Sequence, residues 1–499
     1  VIAAAGVLMQ LILGTVYSWS VFKIPFLGAH GEWFIDVSGV LQARPGGLTP
    51  AEVGLTFTIL IGVVGVAAAL GGKFVDKAGA RTVASLAAIL FGTGTILTGV
   101  ADAMDSKWLL WMGYGVVAGI GNGLGYITPI AVLVRWFPDK RGLITGLAVM
   151  GFGFGSAVLG LATPHMLPAY KTVCVLPKHE AFKVKEQSGT NILQQATTFL
   201  DGQIAKETDP EKKKGLEASQ AKIKDANEKY AGKEKLYMAG VDVYRMEKEG
   251  LSLANTFYIF GAVFMLLLLI AAQFLNNPPP GWKPPVAVLA KAAVAAPEAK
   301  DLSGALSMPQ FYVMWLVLFI NVTAGIALIS NLSVMAQVAC GVTAAVAGTV
   351  VFATMIFNGL GRIFWATLSD KLGRKVTFML ILGLQVPLFF ILPMVSNVVV
   401  FTILGCVILA CYGGGFATMP AYAADTFTAK NMGQIYGKIL LAWGLAGVVG
   451  PMLMEQIKAA SGSFKGAVYV AGIMLAVGFV INLLYKKPPA AVVPEQKAA

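Results

Sequence analysis

The chain has 499 residues; 57% are hydrophobic even without its 57 glycines, only 13% are charged, and the formal net charge is +12. A soluble chain is about 45–50% apolar with glycine included, so a soluble multi-domain enzyme, a disordered chain and a disulfide-rich secreted scaffold are excluded in favour of an integral membrane protein. The positive charge requires no nucleic-acid partner, because membrane proteins concentrate Lys and Arg in cytoplasmic loops.

A spanning helix needs about 20 mostly apolar residues. Such runs are predicted near 1–27, 51–71, 82–101, 108–134, 142–167 and 251–275, then near 309–334, 343–366, 376–396, 398–421, 433–457 and 465–485. The chain opens at Val1 inside an apolar run with no cleavable signal, and a short start segment is expected ahead of it. With the N-terminus placed in the cytoplasm, Lys73, Lys77, Arg81, Arg135, Lys140 and Arg141 fall inside, as do Lys371, Arg374, Lys375, Lys430, Lys486 and Lys487. The short outer loops keep only Arg44, Lys107, Lys458 and Lys465. The excess of inner positive charge predicts a multi-pass protein of the inner (plasma) membrane with both termini cytoplasmic.

Residues 169–250 hold 15 Lys/Arg and 13 Asp/Glu and fall between the fifth and sixth runs. Topology puts this segment outside. Its middle, from about Asn191 to Tyr230, is rich in helix formers, with a break at Asp209-Pro210 that predicts two short helices or a helical hairpin. It reads as a solvated ornament or, alternatively, as a lid or docking surface. The expected fold is therefore an all-α membrane protein: twelve transmembrane helices in two six-helix pseudo-symmetric halves, with a soluble helical insertion between helices 5 and 6. The N-terminal half covers 1–275 and contains the 169–250 insertion. A cytoplasmic linker, stiffened by Pro278, Pro279, Pro280, Pro284 and Pro285, covers 276–307. The C-terminal half covers 308–487 and a cytoplasmic tail 488–499.

The halves repeat one another. Asp76-Lys77-Ala78-Gly79-Ala80-Arg81 follows the second run, and Asp370-Lys371-Leu372-Gly373-Arg374-Lys375 follows the eighth. Gly123-Leu124-Gly125-Tyr126 in the fourth run is echoed by Gly413-Gly414-Gly415-Phe416 in the tenth. Repeated halves with a site between them mark secondary transporters. The D-K-x-G-R pattern at matched positions resembles the major facilitator superfamily. That resemblance implies that Asp76, Lys77, Arg81, Asp370, Lys371 and Arg374 latch helices in one state and release them in another.

A narrower resemblance rests on Gly14-Thr15-Val16-Tyr17-Ser18-Trp19, on Asn358-Gly359-Leu360-Gly361-Arg362 and on Tyr436-Gly437. Together these resemble the oxalate:formate antiporter family, which overlaps in design with the monocarboxylate carriers of lactate and pyruvate. The resemblance implies that Arg362 holds a substrate carboxylate and that Tyr17, Tyr126, Tyr412 and Phe416 wall the central cavity. Members that exchange the dianion oxalate carry a lysine in the eleventh span; aligning on Tyr436-Gly437, Gly444 and Pro451 puts Trp443 there. Lys438, five residues earlier, lies about 140° around the helix. One cation matches one carboxylate. Related animal carriers have an aspartate where this chain has Asn358, and an amide cannot carry a proton.

The residues support the same chemistry independently. An arginine at the centre of a spanning helix costs about 2.5–3.5 kcal/mol on insertion scales, and its planar guanidinium grips a carboxylate through two charge-assisted bonds. Asn358, one turn earlier, shares its face and can hold the guanidinium or touch substrate. Mid-span Tyr and Trp need hydrogen-bond partners that a bound anion supplies. The glycines at 119, 121, 123, 125, 151, 153, 155 and 413–415 permit close helix packing and are read as sliding surfaces, not nucleotide loops. His30, His165 and His179 fall at or beyond the outer face and make a poor proton relay. Cys174, Cys340, Cys406 and Cys411 have no metal-ligand spacing. The expected protein is a secondary transporter of small carboxylates, most of all monocarboxylates of the lactate, pyruvate or formate type, working by alternating access. Oxalate/formate or other dicarboxylate exchange, and a transporter-like sensor acting through the insertion, are the alternatives. No enzyme activity, cofactor or metal is expected. Protons are a candidate co-substrate, and a monomer is expected.

Overall fold

The computed structural model describes residues 1–137, 141–177, 182–231, 233–239, 241–279, 302–427 and 432–486. Among these, twelve helices are long and apolar enough to cross a bilayer. Spans 1–6 are Ile2–Val21, Pro50–Val75, Ala80–Ala103, Lys107–Leu133, Gly146–Met166 and Leu253–Gln273. Spans 7–12 are Pro309–Ile329, Ala344–Leu372, Arg374–Met394, Val398–Phe427, Ile435–Ser461 and Lys465–Leu483. Spans 8, 10 and 11 run several residues beyond the apolar windows read from sequence. Hydropathy falls off at a membrane surface, whereas backbone hydrogen bonding does not, so a helix continues into polar residues until a breaker stops it. After span 8 the breaker is Gly373, whose φ of 84° and ψ of 152° match the 83° and 151° of Gly79 after span 2. That region of backbone space is essentially reserved for glycine. The sequence repeat is thus a repeat of one backbone turn.

The halves meet where span 2 lies along span 11 and span 5 along span 8. Glycines allow this contact: a Cβ on Gly65 would come within 2.3 Å of the Gly444 Cα, and one on Gly153 within 2.7 Å of the Gly359 nitrogen. Span 1 is irregular. It is α-helical over Ile2–Leu13, tightens to 3₁₀ over Gly14–Val21, and continues as a second α-helix over Lys23–His30. Such long 3₁₀ stretches are uncommon and often mark hinges; this one coincides with the Gly14-Thr15-Val16-Tyr17-Ser18-Trp19 motif.

The segment between spans 5 and 6 contains the two helices, Ile192–Ile204 and Pro210–Tyr230. Asn191 caps the first by accepting from the Gln194 N–H, and Asp209 caps the second by accepting from those of Glu211 and Lys212, as such residues do at helix starts. The insertion is not only helical, however. It holds strands β3 (Ala169–Val175), β4 (Leu236–Ala239) and β5 (Asp242–Lys248), which join β1 (Trp33–Ile35) and β2 (Leu41–Ala43) from the loop after span 1. The antiparallel sheet has the order β2-β1-β4-β5-β3. These strands are short and β1 pairs with β4 some 200 residues away, so no local signal announced them. The domain has its own core, including Ile35, Cys174, Leu193, Leu200, Met238 and Val243. Its entry and exit are tied together, the Leu251 N–H donating to the Met166 carbonyl at 2.7 Å.

Below this domain, His30 Nδ1 lies 2.7 Å from Asp105 and Nε2 lies 2.6 Å from Asp102. Both ring nitrogens face acceptors, which only the imidazolium satisfies. Burial alone would lower its pKa, but the hydrogen bonds and charges of Asp102 and Asp105 outweigh burial and raise it above 6.5. A raised folded pKa gives stability that is present at low pH and lost as pH rises through that pKa. The melting temperature of wild type minus that of His30→Gln is therefore expected to be largest below pH 6.5 and to shrink above it. A difference that does not change with pH would refute this.

Most of the 276–307 linker, the 488–499 tail and His179 lie outside the described residues.

Candidate functional site

The centre of the molecule is built on one guanidinium. Arg362, midway along span 8, is 1% exposed. Its Nε donates to the Asn358 side-chain oxygen at 3.3 Å, one helical turn away. Its Nη1 is buried with no hydrogen-bond partner, as is the Asn358 amide nitrogen. Among the described residues no carboxylate pairs with Arg362, and its burial rules out snorkelling to the headgroups. Gly413 on span 10 makes room for it: a Cβ there would lie 2.2 Å from the Asn358 carbonyl oxygen and 3.1 Å from the Arg362 Cγ.

Aromatic rings close around the cation. The Arg362 Cζ stands 5.4 Å from the centre of the Phe416 ring, a cation–π distance. Phe416 packs edge-on against Tyr412 at 5.4 Å and against Trp443 at 5.3 Å. Trp443 in turn contacts Tyr126 at 4.8 Å. The Tyr17 and Tyr412 hydroxyls share a hydrogen bond of 2.7 Å, which joins span 1 to span 10 and so one half to the other. The Trp443 indole nitrogen is buried without a hydrogen-bond partner. Tyr17, Tyr126, Tyr412 and Trp443 are each at most 1% exposed, so the site is occluded from solvent. The arrangement is a buried cluster of aromatic faces and hydroxyls around one positive charge that no carboxylate among the described residues compensates, with donors left unfilled.

All seven residues singled out as substrate contacts, namely Arg362, Asn358, Tyr17, Tyr126, Tyr412, Phe416 and Trp443, meet at this point. Two more belong beside them. Phe152 of span 5 packs against Tyr17 at 5.0 Å, Tyr126 at 5.5 Å and Trp443 at 6.1 Å; in sequence it is hidden among the packing glycines 151, 153 and 155. Tyr436 is buried on span 11 two turns before Trp443 and on the same face, yet in sequence it served only as a motif marker.

Of the residues read as a latch, Asp370 and Arg374 lie away from this centre and pair within the C-terminal half. Arg374 binds Asp370 at 2.7 Å and Asp425 at 2.9 Å and also touches the Ser369 hydroxyl. Asp425, at the end of span 10, was not foreseen. Lys375 donates to the carbonyls of Leu483 and Tyr485 after span 12. These bonds hold spans 8, 9, 10 and 12 together at one end of the C-terminal half. Lys371 and Arg81 are exposed, and the side chains of Asp76 and Lys77 lie outside what the structure describes.

Twelve spanning helices among the described residues surround the central occluded site, with the same glycine turn after spans 2 and 8. The model of the major facilitator superfamily matches residues 3–172, 249–409 and 314–499. The chain belongs to the major facilitator superfamily. The matched stretches omit residues 173–248, which hold both helices and strands β4 and β5 of the inserted domain. Curated relatives of this superfamily member include the oxalate:formate antiporter of Oxalobacter formigenes, 24% identical over 89% of this chain and 81% of that protein. An uncharacterized MFS-type transporter of Escherichia coli, YhjX, is 23% identical over 89% of this chain and 84% of that one. The apicoplast pyruvate carrier 1 of Toxoplasma gondii is 21% identical over 87% of this chain and 79% of that one. Among solved structures, FucP, a superfamily transporter crystallised in an outward conformation, aligns with a TM-score of 0.55 at 14% identity, covering 97% of this chain and 99% of its own. As a superfamily member the protein is a multi-pass membrane transporter and not an enzyme.

Proposed function

We propose that this transporter carries small carboxylates, monocarboxylates such as lactate, pyruvate or formate above others, by alternating access. The observation that carries the reading is the buried Arg362 guanidinium, with no carboxylate of its own among the described residues and one Nη left without a partner. A substrate carboxylate completes it: one oxygen takes the free guanidinium N–H, beside the Tyr17 and Tyr412 hydroxyls of the surrounding aromatic cluster. Binding also cancels the charge. An unpaired buried ion costs several kcal/mol, so the occluded state is favourable loaded and unfavourable empty, which links movement of the halves to substrate. That the antiporter of Oxalobacter formigenes and the pyruvate carrier of Toxoplasma gondii are similar proteins supports an organic-anion substrate.

Charge count favours monoanions. Trp443 supplies no second cation, so a second carboxylate would meet only neutral donors and its charge would be buried unpaired. Asn358 holds Arg362 through an amide that does not titrate, so proton coupling, where present, runs through another group. In this reading both termini face the cytoplasm, the insertion lies outside it, and the carrier sits in the inner (plasma) membrane.

The test is uptake of labelled lactate into proteoliposomes, with and without a pH gradient, in competition with formate, pyruvate, oxalate and malonate. Monoanions are expected to compete and dianions to fail. Competition by oxalate and formate, and not by pyruvate or unlabelled lactate, would replace the reading with oxalate/formate exchange. Competition by none of them would end the carboxylate assignment.

A further inference from the structure

Four charged side chains that take no part in the central site form a second cluster, on the face of the molecule that carries the inserted domain. Lys23, on the helix that extends span 1, has a side chain only 5% exposed. Its ammonium lies 2.5 Å from a Glu455 carboxylate oxygen on span 11 and 2.6 Å from the Asn331 side-chain oxygen after span 7. Span 2 takes part through Gly54, where a Cβ would stand 3.2 Å from the same carboxylate oxygen. One turn along span 11, Lys458 reaches Asp242 at 3.3 Å. Asp242 opens strand β5, so this last contact joins the inserted domain to the C-terminal half, although the domain is covalently part of the N-terminal half. A small cavity at this junction is lined by Lys23, Asp242, Tyr244, Asn331, Val334 and Lys458, among others.

These bonds all cross between the halves. Asp242 places a second carboxylate, besides that of Glu455, against two lysines whose charges repel each other. Opening a path on this face must separate spans 1 and 2 from spans 7 and 11, and so must part Lys23 from Glu455 and Asn331. We propose that this cluster is the closure of the insertion-side path, and that the inserted domain is a working part of it, with Asp242 acting as the counter-charge that keeps the two halves locked. The domain is then a brake on opening at that face. This rests on alternating access of a superfamily transporter and holds whichever substrate is carried.

The test reads accessibility, not transport. Val334, which lines the junction and is 6% exposed, is changed to Cys in full-length protein whose Cys174, Cys340, Cys406 and Cys411 are Ser. The protein is placed in lipid nanodiscs and labelled with a charged maleimide. The parent is expected to label slowly. Loss of a buried pair in Glu455→Gln is expected to raise the rate at least about tenfold. Asp242→Asn removes a longer contact, 3.3 Å against 2.5 Å, whose lysine is the more exposed of the two, and is expected to raise it at least about threefold. The exchange Lys23→Glu with Glu455→Lys restores opposite charges and is expected to bring slow labelling back. Lys458→Gln removes the Asp242 contact from the span 11 side, so it answers the question if Asp242→Asn does not elute as a monodisperse species. A smaller rise in Glu455→Gln overturns the closure. A smaller rise in both Asp242→Asn and Lys458→Gln overturns the part given to the insertion.

Discussion

Arg362→Gln is expected to reduce lactate uptake, measured as the initial rate at low substrate in proteoliposomes, by at least about 30-fold, since losing one partner of a buried charge pair costs about 2 kcal/mol or more. Arg362→Lys should recover little, because a lysine keeps the charge but not the planar pair of donors. The same substitution should move stability the other way. The empty carrier holds a buried guanidinium with an unpartnered N–H, so Arg362→Gln should melt no lower than wild type in detergent without substrate. Lactate should then stabilise wild type and not the variant, since a ligand raises stability only through the state it binds. A variant that transports normally, or that melts well below wild type while empty, would show that Arg362 serves packing and not substrate.

Gly413→Ala is expected to damage the carrier more than any other single methyl on span 10. Its Cβ would meet the Asn358 carbonyl at 2.2 Å, a backbone atom that moves only if span 8 moves. Overpacking of this sort costs about 1–3 kcal/mol, and the displacement falls on the turn that presents Asn358 and Arg362. Gly405→Ala, on the same helix, meets only the Thr354 methyl at 3.0 Å and serves as control. Melting curves and lactate uptake measured side by side should show Gly413→Ala losing both and Gly405→Ala retaining most of each. Equal behaviour of the two would mean that the contact between spans 8 and 10 is looser than the distances require.

How much of this was legible in the sequence depended on the range of the forces involved. Apolar runs of spanning length are local, and so are the capping residues Asn191 and Asp209, which set the two helices of the insertion. The glycine turns were visible because they recur: Gly79 and Gly373 adopt one backbone conformation in both halves. The cation at the centre was visible because an arginine among apolar residues is costly and needs a reason. By contrast Phe152 resembles an ordinary core residue, and nothing near it in the chain reveals that it packs against Tyr17, Tyr126 and Trp443. Asp425 gave no sign of its pairing with Arg374, because the pair is made across two spans.

The sheet of the inserted domain and the charge cluster beside it are the clearest cases of information held only in three dimensions. Strand β1 has three residues and finds its partner β4 across most of the N-terminal half. Lys23 looks like a span-end lysine until Glu455, 432 positions away, is folded against it. Composition and periodicity determined that this chain crosses a bilayer twelve times, that its halves repeat, and where its polar insertion lies, because burial in lipid constrains each helix separately. Which donors remain unfilled around Arg362, and which charges tie the halves together, was decided by tertiary structure, because hydrogen bonds and ion pairs depend on distances of a few ångströms between residues that the chain order keeps far apart.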